Sequence, residues 1–164
     1  MKNLIKSLIL PAIFLTCWNL ATAQNTYVPD DNFEQELINL GYDSGALDDY
    51  VPTANISVVT SLNLYSLGIS DLTGIEDFSS LLDLNFSNNN VSTVDLSALT
   101  QLIELELGNN QLTALDISNN TALEQLLCGN NQLTSLNLQH NINLEYLACN
   151  NNQISDLHIE TSTQ

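Results

Sequence analysis

The chain has 164 residues, with 19 acidic side chains against only 2 Lys or Arg, and a formal net charge of -17 at pH 7. That length suits one domain rather than two. So acidic a surface repels nucleic acid, whose binding depends on Lys and Arg neutralising phosphate, and it repels anionic membranes; its general effect is to keep a protein soluble.

The first predicted element is a targeting segment. Lys2 and Lys6 form a basic start, an apolar run extends from Leu8 to Leu15, and Ala21-Thr22-Ala23 offers a small-x-small cleavage site. This order describes a secretory signal peptide over 1–23, cut after Ala23 to leave Gln24 at the new N-terminus. The apolar run is short and interrupted by Pro11, so no membrane insertion is expected after cleavage. Thr16 before Cys17 is too large for a lipid-bearing cysteine signal. Lys2 and Lys6 are the only Lys or Arg residues, so the chain from Gln24 onward carries all 19 acidic groups and neither basic residue.

Residues 24–58 read as an N-terminal helical cap and lead-in. Asp30 or Asp31 can serve as the helix N-cap, Phe33, Leu37 and Leu40 fall on one face at helical spacing, and Gly41 supplies the stop. Asp48, Asp49, Pro52 and Ala54 mark a loop leading into the first coil.

From residue 59 the sequence repeats. Leu102, Leu105, Leu107, Asn110, Leu112, Leu115, Ile117 and Asn120 mark one unit, and adding 21 gives Leu123, Leu126, Cys128, Asn131, Leu133, Leu136, Leu138 and Asn141. The same step leads forward to Leu144, Leu147, Cys149, Asn152, Ile154, Leu157, Ile159 and Ser162, and back to Leu81, Leu84, Phe86, Asn89, Val91, Val94, Leu96 and Leu99. A looser unit precedes these, with Leu67 in the Asn slot. The five units are 59–80, 81–101, 102–122, 123–143 and 144–164. Each contains a near-repeat of itself ten residues on, Ile117 answering Leu107 and Asn120 answering Asn110. One coil is therefore expected to hold two short extended segments with alternate residues inward. The expected fold is a repeat solenoid, a right-handed coil of stacked short parallel β-strands behind a small helical cap, because such units bury their apolar columns only by stacking. No second cap is expected at the C-terminal end, which leaves truncation, a partnered end or a frayed last coil open.

The Asn slots have a physical purpose. A chain that turns every few residues leaves backbone N–H and C=O groups inside the bend, and an Asn amide can satisfy both kinds. Asn89, Asn110, Asn131 and Asn152 are expected to form such a ladder. Their neighbours Asn88, Asn109, Asn130 and Asn151 tolerate the left-handed conformation the turn requires.

These residues resemble the leucine-rich repeat, Leu-x-x-Leu-x-Leu-x-x-Asn-x-Leu. The nested 21-residue unit is similar to the bacterial IRREKO-type subclass, and Gly68-Ile69-Ser70-Asp71-Leu72-Thr73-Gly74-Ile75-Glu76-Asp77-Phe78 is similar to internalin-like repeats. The opening Tyr27-Val28-Pro29-Asp30-Asp31-Asn32-Phe33 resembles the cap of secreted flavobacterial proteins with such repeats. The resemblance covers roughly 27–164 and implies an extracellular interaction or adhesion protein. It carries over no binding residues.

The best functional surface is the outward side of each coil's first extended segment. Its candidates are Asp83, Asn85, Glu104, Glu106, Gln125, Leu127 and Tyr146, with Ser61, Asn63 and Ala148 in the same columns. Tyr146 and Leu127 beside an acidic pair suit an anchor for a partner; isolated exposed apolar residues are also common with no such role. Cys128 and Cys149 share one inward slot of adjacent coils. Parallel Cβ vectors hold them wider apart than a relaxed bridge needs, which favours two free, buried thiols over a disulfide. His140 and His158 sit in different slots with no recurring ligands, so no metal site is expected there. Asp95 and Asp116 supply too few oxygens to hold Ca²⁺ well. No nucleophile elbow, phosphate-cradling glycine loop or catalytic triad pattern is visible.

The expected function is non-catalytic binding of a protein or carbohydrate ligand at the cell exterior, without cofactor. The chain is expected to be monomeric unless its last coil pairs. A structural spacer within a larger surface-anchored repeat protein is the alternative, and a secreted enzyme is the third and weakest.

Overall fold

A computed structural model describes residues 24–159. The signal-peptide expectation at 1–23 and the end of the fifth unit, including Ser162, lie outside the described residues.

The described chain opens with a cap that is more than a helix. Strand β1 (Asn25–Tyr27) leads into helix α1 (Asp31–Asn39). Strand β2 (Tyr50–Pro52) then returns antiparallel to β1, pairing Asn25 with Pro52 and Tyr27 with Tyr50, and runs into the short helix α2 (Thr53–Ile56). The loop expected at 48–54 is thus largely strand and helix, and the cap is a mixed α and β unit. Asp30 caps α1, its Oδ1 accepting from the backbone N–H of Asn32 at 3.1 Å and of Phe33 at 3.2 Å. Phe33 and Leu37 are buried, and the Phe33 ring stacks on Phe78 of the first coil with centroids 6.2 Å apart. Leu40, expected on the same face, is 45% exposed because it is the C-cap residue, beyond the last turn of the apolar stripe. Gly41 follows at φ 80°, where the chain leaves the helix.

Beyond the cap five coils stack. Each contributes one short strand to a parallel sheet: β3 (Ser61–Asn63), β4 (Asp83–Asn85), β5 (Glu104–Glu106), β6 (Gln125–Leu127) and, after the intervening strand β7 (Ser135–Asn137), β8 (Tyr146–Ala148). Adjacent strands pair at a constant 21-residue offset, Leu84 with Leu105, Leu105 with Leu126 and Leu126 with Leu147, while the first pairing, Leu62 with Leu84, is one residue longer. A 3-10 turn at Ile75–Asp77 occupies the lengthened first coil. The central residue of every three-residue strand points inward, and Leu62, Leu84, Leu105 and Leu126 are fully or almost fully buried. They belong to one continuous core from Val28 of the cap to Leu138 of the fourth coil.

The second extended segment of each coil departs from expectation. It pairs as strand only between the fourth and fifth coils, where β7 lies parallel to β9 (Asp156–His158). In the second and third coils the equivalent stretch is irregular. There Asp95 and Asp116 close local turns, accepting from the N–H of Ser97 at 2.9 Å and of Ser118 at 3.0 Å, an alternative that short polar side chains offer to ladder pairing. The Ser97 hydroxyl and N–H hold Asp95 below its ordinary carboxylate value, and the Ser118 N–H and hydroxyl do the same for Asp116.

The last described coil is less covered than its predecessors. Leu157 and Ile159 are 44% and 57% exposed, whereas Leu136 and Leu138, one coil earlier in the same slots, are buried. No helix among the described residues is long and apolar enough to cross a membrane.

Candidate binding face and the asparagine ladder that supports it

The parallel sheet presents its outward residues in two columns. One runs Ser61, Asp83, Glu104, Gln125, Tyr146 and the other Asn63, Asn85, Glu106, Leu127, Ala148, each residue in register with the next. With a parallel spacing of about 4.8 Å, neighbouring members stand close enough for direct side-chain contact. The Asn85 amide donates to Glu106 Oε2 at 3.0 Å, orienting that carboxylate across the strand boundary. The Asn85 Oδ1 is spent within its own turn on the N–H of Ser87 at 2.9 Å, as Asn63 Oδ1 is on that of Tyr65 at 3.0 Å. Glu104 is exposed and Tyr146 is 56% exposed, while Asp83, Asn85, Glu106, Gln125 and Leu127 are half-buried among their neighbours. A shallow recess of about 260 Å³ lies over β3, β4 and β5, lined by Ser61, Asn63, Asp83, Asn85, Glu104 and Glu106.

No Lys or Arg occurs anywhere after Lys6, so among the described residues none of these carboxylates has a cation of that kind. The ion pair found among the described residues joins His158 to Asp156 at 2.9 Å, off this face on β9. A second, larger recess of about 420 Å³ lies away from the sheet, between Asp71, Thr73, Glu76 and Asp95. Its acids already serve the fold: Asp71 Oδ1 takes the N–H and hydroxyl of Thr73 at 2.8 and 2.7 Å, and Glu76 Oε2 takes the Gly74 N–H at 2.8 Å. Asp31, Glu34 and Asp49 bring three carboxylates together on the cap. Glu34 there is buried and receives the N–H groups of Asp48 at 2.8 Å and Asp49 at 3.1 Å, so its first task is to hold the cap loop.

What keeps the strand columns in register is a ladder of buried amides. Asn110 Nδ2 donates to Phe86 O in the preceding coil at 3.0 Å and to Leu107 O in its own at 3.1 Å, and Asn110 Oδ1 accepts from Val91 N–H at 3.0 Å. Asn131 makes the same three contacts one coil on, with Leu107 O at 3.1 Å, Cys128 O at 3.2 Å and Leu112 N–H at 3.0 Å. Asn152 repeats them with Cys128 O, Cys149 O and Leu133 N–H. Asn89 reaches Leu64 O and Phe86 O, and its Oδ1 accepts from both Leu67 and Ile69 of the irregular first coil. Each of these asparagines therefore joins its coil to the one before. The residues preceding them, Asn88, Asn109, Asn130 and Asn151, have φ between 55° and 59°, and Ser66 takes the equivalent place in the first coil at φ 61°.

A second pair of buried amides lies on the opposite bend. Asn120 Nδ2 donates to Leu96 O at 3.0 Å and Leu99 O at 2.8 Å, and Asn141 Nδ2 to Ile117 O at 3.1 Å and Asn120 O at 2.9 Å. Their Oδ1 atoms are buried without a partner. The signal that could have added them to the ladder is the nested half-period, which sets Asn120 ten residues after Asn110. Cys128 and Cys149 occupy one inward slot of successive coils and neither is in a disulfide. Burial pushes the Cys128 thiol up to about 12, so it packs as a neutral apolar filler.

An extended parallel sheet, repeating coils and an asparagine ladder joining them define a leucine-rich-repeat solenoid. Comparison with known proteins narrows the class. No family model matches the chain. A stretch of 76 residues is 36% identical to Internalin J of Listeria monocytogenes serotype 4b (strain F2365), covering 46% of this chain and 8% of that protein. Among solved structures, the functional domain of InlJ from Listeria monocytogenes, described as including a cysteine ladder, has a TM-score of 0.75 at 34% identity, over 85% of this chain and 31% of that one. An internalin, InlF, of Listeria monocytogenes strain 4b F2365 has a TM-score of 0.59 at 25% identity, over 66% of this chain and 36% of its own. The chain is an internalin-like leucine-rich-repeat protein, spanning 8% of the length of Internalin J and 31% of the InlJ structure.

Proposed function

We propose that this chain is a non-catalytic, extracellular binding protein whose protein ligand docks on the outward face of the five-stranded sheet. The observation that carries the reading is the face itself: five strands in register present a continuous, open surface whose carboxylates have no Lys or Arg among the described residues to pair with. In solenoids such a face is the usual contact surface. Asp83, Asn85, Glu104, Glu106, Gln125, Leu127 and Tyr146 are the proposed contact residues. The likeness to internalins supports a binding or adhesion role, and the signal-like segment at 1–23 supports export. On this reading the chain divides into a cleaved leader at 1–23, a cap and lead-in at 24–58, and repeats from residue 59.

The test is a screen of the protein from Gln24 onward against arrayed extracellular proteins and arrayed glycans. It is run beside a triple variant, Glu104→Ala, Glu106→Ala and Tyr146→Ala, whose folding is checked by thermal melting. A protein ligand bound by the parent and lost by the folded triple variant supports the proposal. Undiminished affinity places the site elsewhere, and hits confined to glycans replace a protein ligand with a carbohydrate one.

A further inference from the structure

Two adjoining parts of the sheet face differ in chemistry, and that difference selects a partner. On the β4 and β5 side stand Asp83, Glu104 and Glu106, with Glu104 and Glu106 alternate residues of one strand and therefore both outward. On the β6 and β8 side stand Gln125, Leu127, Ala148 and the exposed Tyr146, with Leu127 in register with Ala148. The acids are spread rather than convergent. The group of three acidic side chains close enough to share one cation, among the described residues, lies on the cap at Asp31, Glu34 and Asp49, away from this face. A divalent cation needs six or more oxygens gathered around one point. Carboxylates set about 5 Å apart between strands and about 7 Å apart along one suit several cations carried on a chain. They also gain from such cations, since like charges directly opposite on a sheet destabilise each other.

We infer that the face takes an extended polypeptide segment carrying Lys or Arg at one end, set over Asp83, Glu104 and Glu106, and a large apolar side chain at the other, set against Leu127 and Tyr146. This rests on the proposed binding face and specifies what it binds. The Asp83 column position lies three strand spacings from that of Tyr146, about 14 Å. An extended chain covers that distance in about four to five residues. The segment is therefore short, with its charged and apolar ends a fixed distance apart. Charge at the acidic end raises the association rate and fixes orientation, and the apolar end slows dissociation by excluding water from the Tyr146 ring.

Two fluorescent octapeptides test the inference, one with Arg residues clustered at one end and Leu and Phe at the other, and one of the same composition with the charges scattered. Binding to the protein from Gln24 onward is followed by anisotropy at about 50 mM and about 300 mM NaCl. The clustered peptide is expected to bind about tenfold more tightly than the scattered one, and Glu104→Gln with Glu106→Gln to weaken it about tenfold at low salt. Asp71→Asn with Glu76→Gln removes the same charge off the face and is expected to change binding less than about twofold. Tyr146→Ala is expected to weaken binding at both salt concentrations. Equal losses in the two charge-removing variants would show a diffuse field rather than a site and overturn the inference, as would equal affinity for both peptides. A ligand found in the array screen that the triple variant loses, but that has no basic segment and no salt sensitivity, would overturn this inference while leaving the face intact as the binding site. A ligand that the folded triple variant still binds would remove the face as well.

Discussion

Single residues in this solenoid hold more than one part of the structure at a time, and substitution shows it. Asn131 satisfies two carbonyls and one N–H, all in buried or nearly buried positions, in its own coil and the preceding one. Asn131→Ala leaves those backbone groups without partners and is expected to cost about 1–3 kcal/mol. Urea unfolding should show a loss clearly larger than that of the exposed neighbour substitution Gln132→Ala, and equal losses would remove the amide ladder as a stabilising device. Asp30 works in the same way at the cap. Its Oδ1 caps α1, while its Oδ2 receives the N–H of Ser70 at 2.9 Å, the Ser70 hydroxyl at 3.0 Å and the N–H of Asp71 at 3.1 Å. Partial burial pushes this carboxyl up, but the hydrogen bonds from Ser70, Asp71 and Phe33 together outweigh it and hold the group below its ordinary 3.8. A depressed folded value means that the carboxylate stabilises the fold above the unfolded value and loses that contribution as pH falls through the folded one. The stability difference between the parent and Asp30→Asn should accordingly be constant above about pH 5 and shrink below 3.8. Chemical unfolding at a series of pH values measures it, and a difference that persists undiminished to about pH 2 would exclude this role.

At the scale of elements, the joint between cap and first coil is the least repetitive place in the molecule and the most tightly specified. Gly74 opens the 3-10 turn at φ 101°, and a Cβ there would lie 2.7 Å from Tyr27 O and 2.9 Å from Val28 Cγ2. The same turn delivers Asp77, whose Oδ2 accepts from the Thr26 hydroxyl of β1 at 2.6 Å. Gly74→Ala therefore meets both an unfavourable backbone conformation and a backbone collision. Strain of this kind costs about 1–3 kcal/mol. Thermal melting should register the loss at Gly74, while Gly45→Ala, also at positive φ but with open space around its Cβ, should lose less. If the two variants melt alike, close approach of the cap contributes nothing. The coils themselves need no such fitting. Each strand needs only one inward residue, because neighbours above and below supply the rest of the enclosure.

Over the whole molecule the dominant physical fact is unbalanced charge. The chain from Gln24 onward holds all 19 carboxylates and no Lys or Arg, so self-repulsion opposes compaction throughout the rod. Salt shortens the range of that repulsion from about 30 Å at 0.01 M to about 10 Å at 0.1 M. The melting temperature is expected to rise over that interval, by about 2–8 °C for each 1 kcal/mol of relief. A melting temperature that stays level or falls would show that repulsion is already absorbed locally. On the binding reading proposed above, a cationic partner set over Asp83, Glu104 and Glu106 removes a cost that the free protein bears.

The repeat, the inward columns and the alternation that turns Glu104, Glu106 and Tyr146 outward derive from sequence alone, because a fixed step along the chain becomes a fixed translation in space. Once Leu84, Leu105 and Leu126 are seen to be equivalent, their stacking has no competitor that buries as much. The chemistry of Asn in a tight bend is equally local. Features that join parts with no shared period needed the tertiary structure. Asp30 reaching Ser70 across forty residues, Gly74 pressed against Tyr27, β2 pairing back on β1, and Leu40 lying outside the core depend on how the cap meets the first coil. The second strand ladder was also undecided by periodicity. Asp95, Asp116, Asn137 and His158 share a slot, yet only the last two coils pair there. A repeating pattern states which residues are equivalent, and packing decides whether equivalent backbones come close enough to bond.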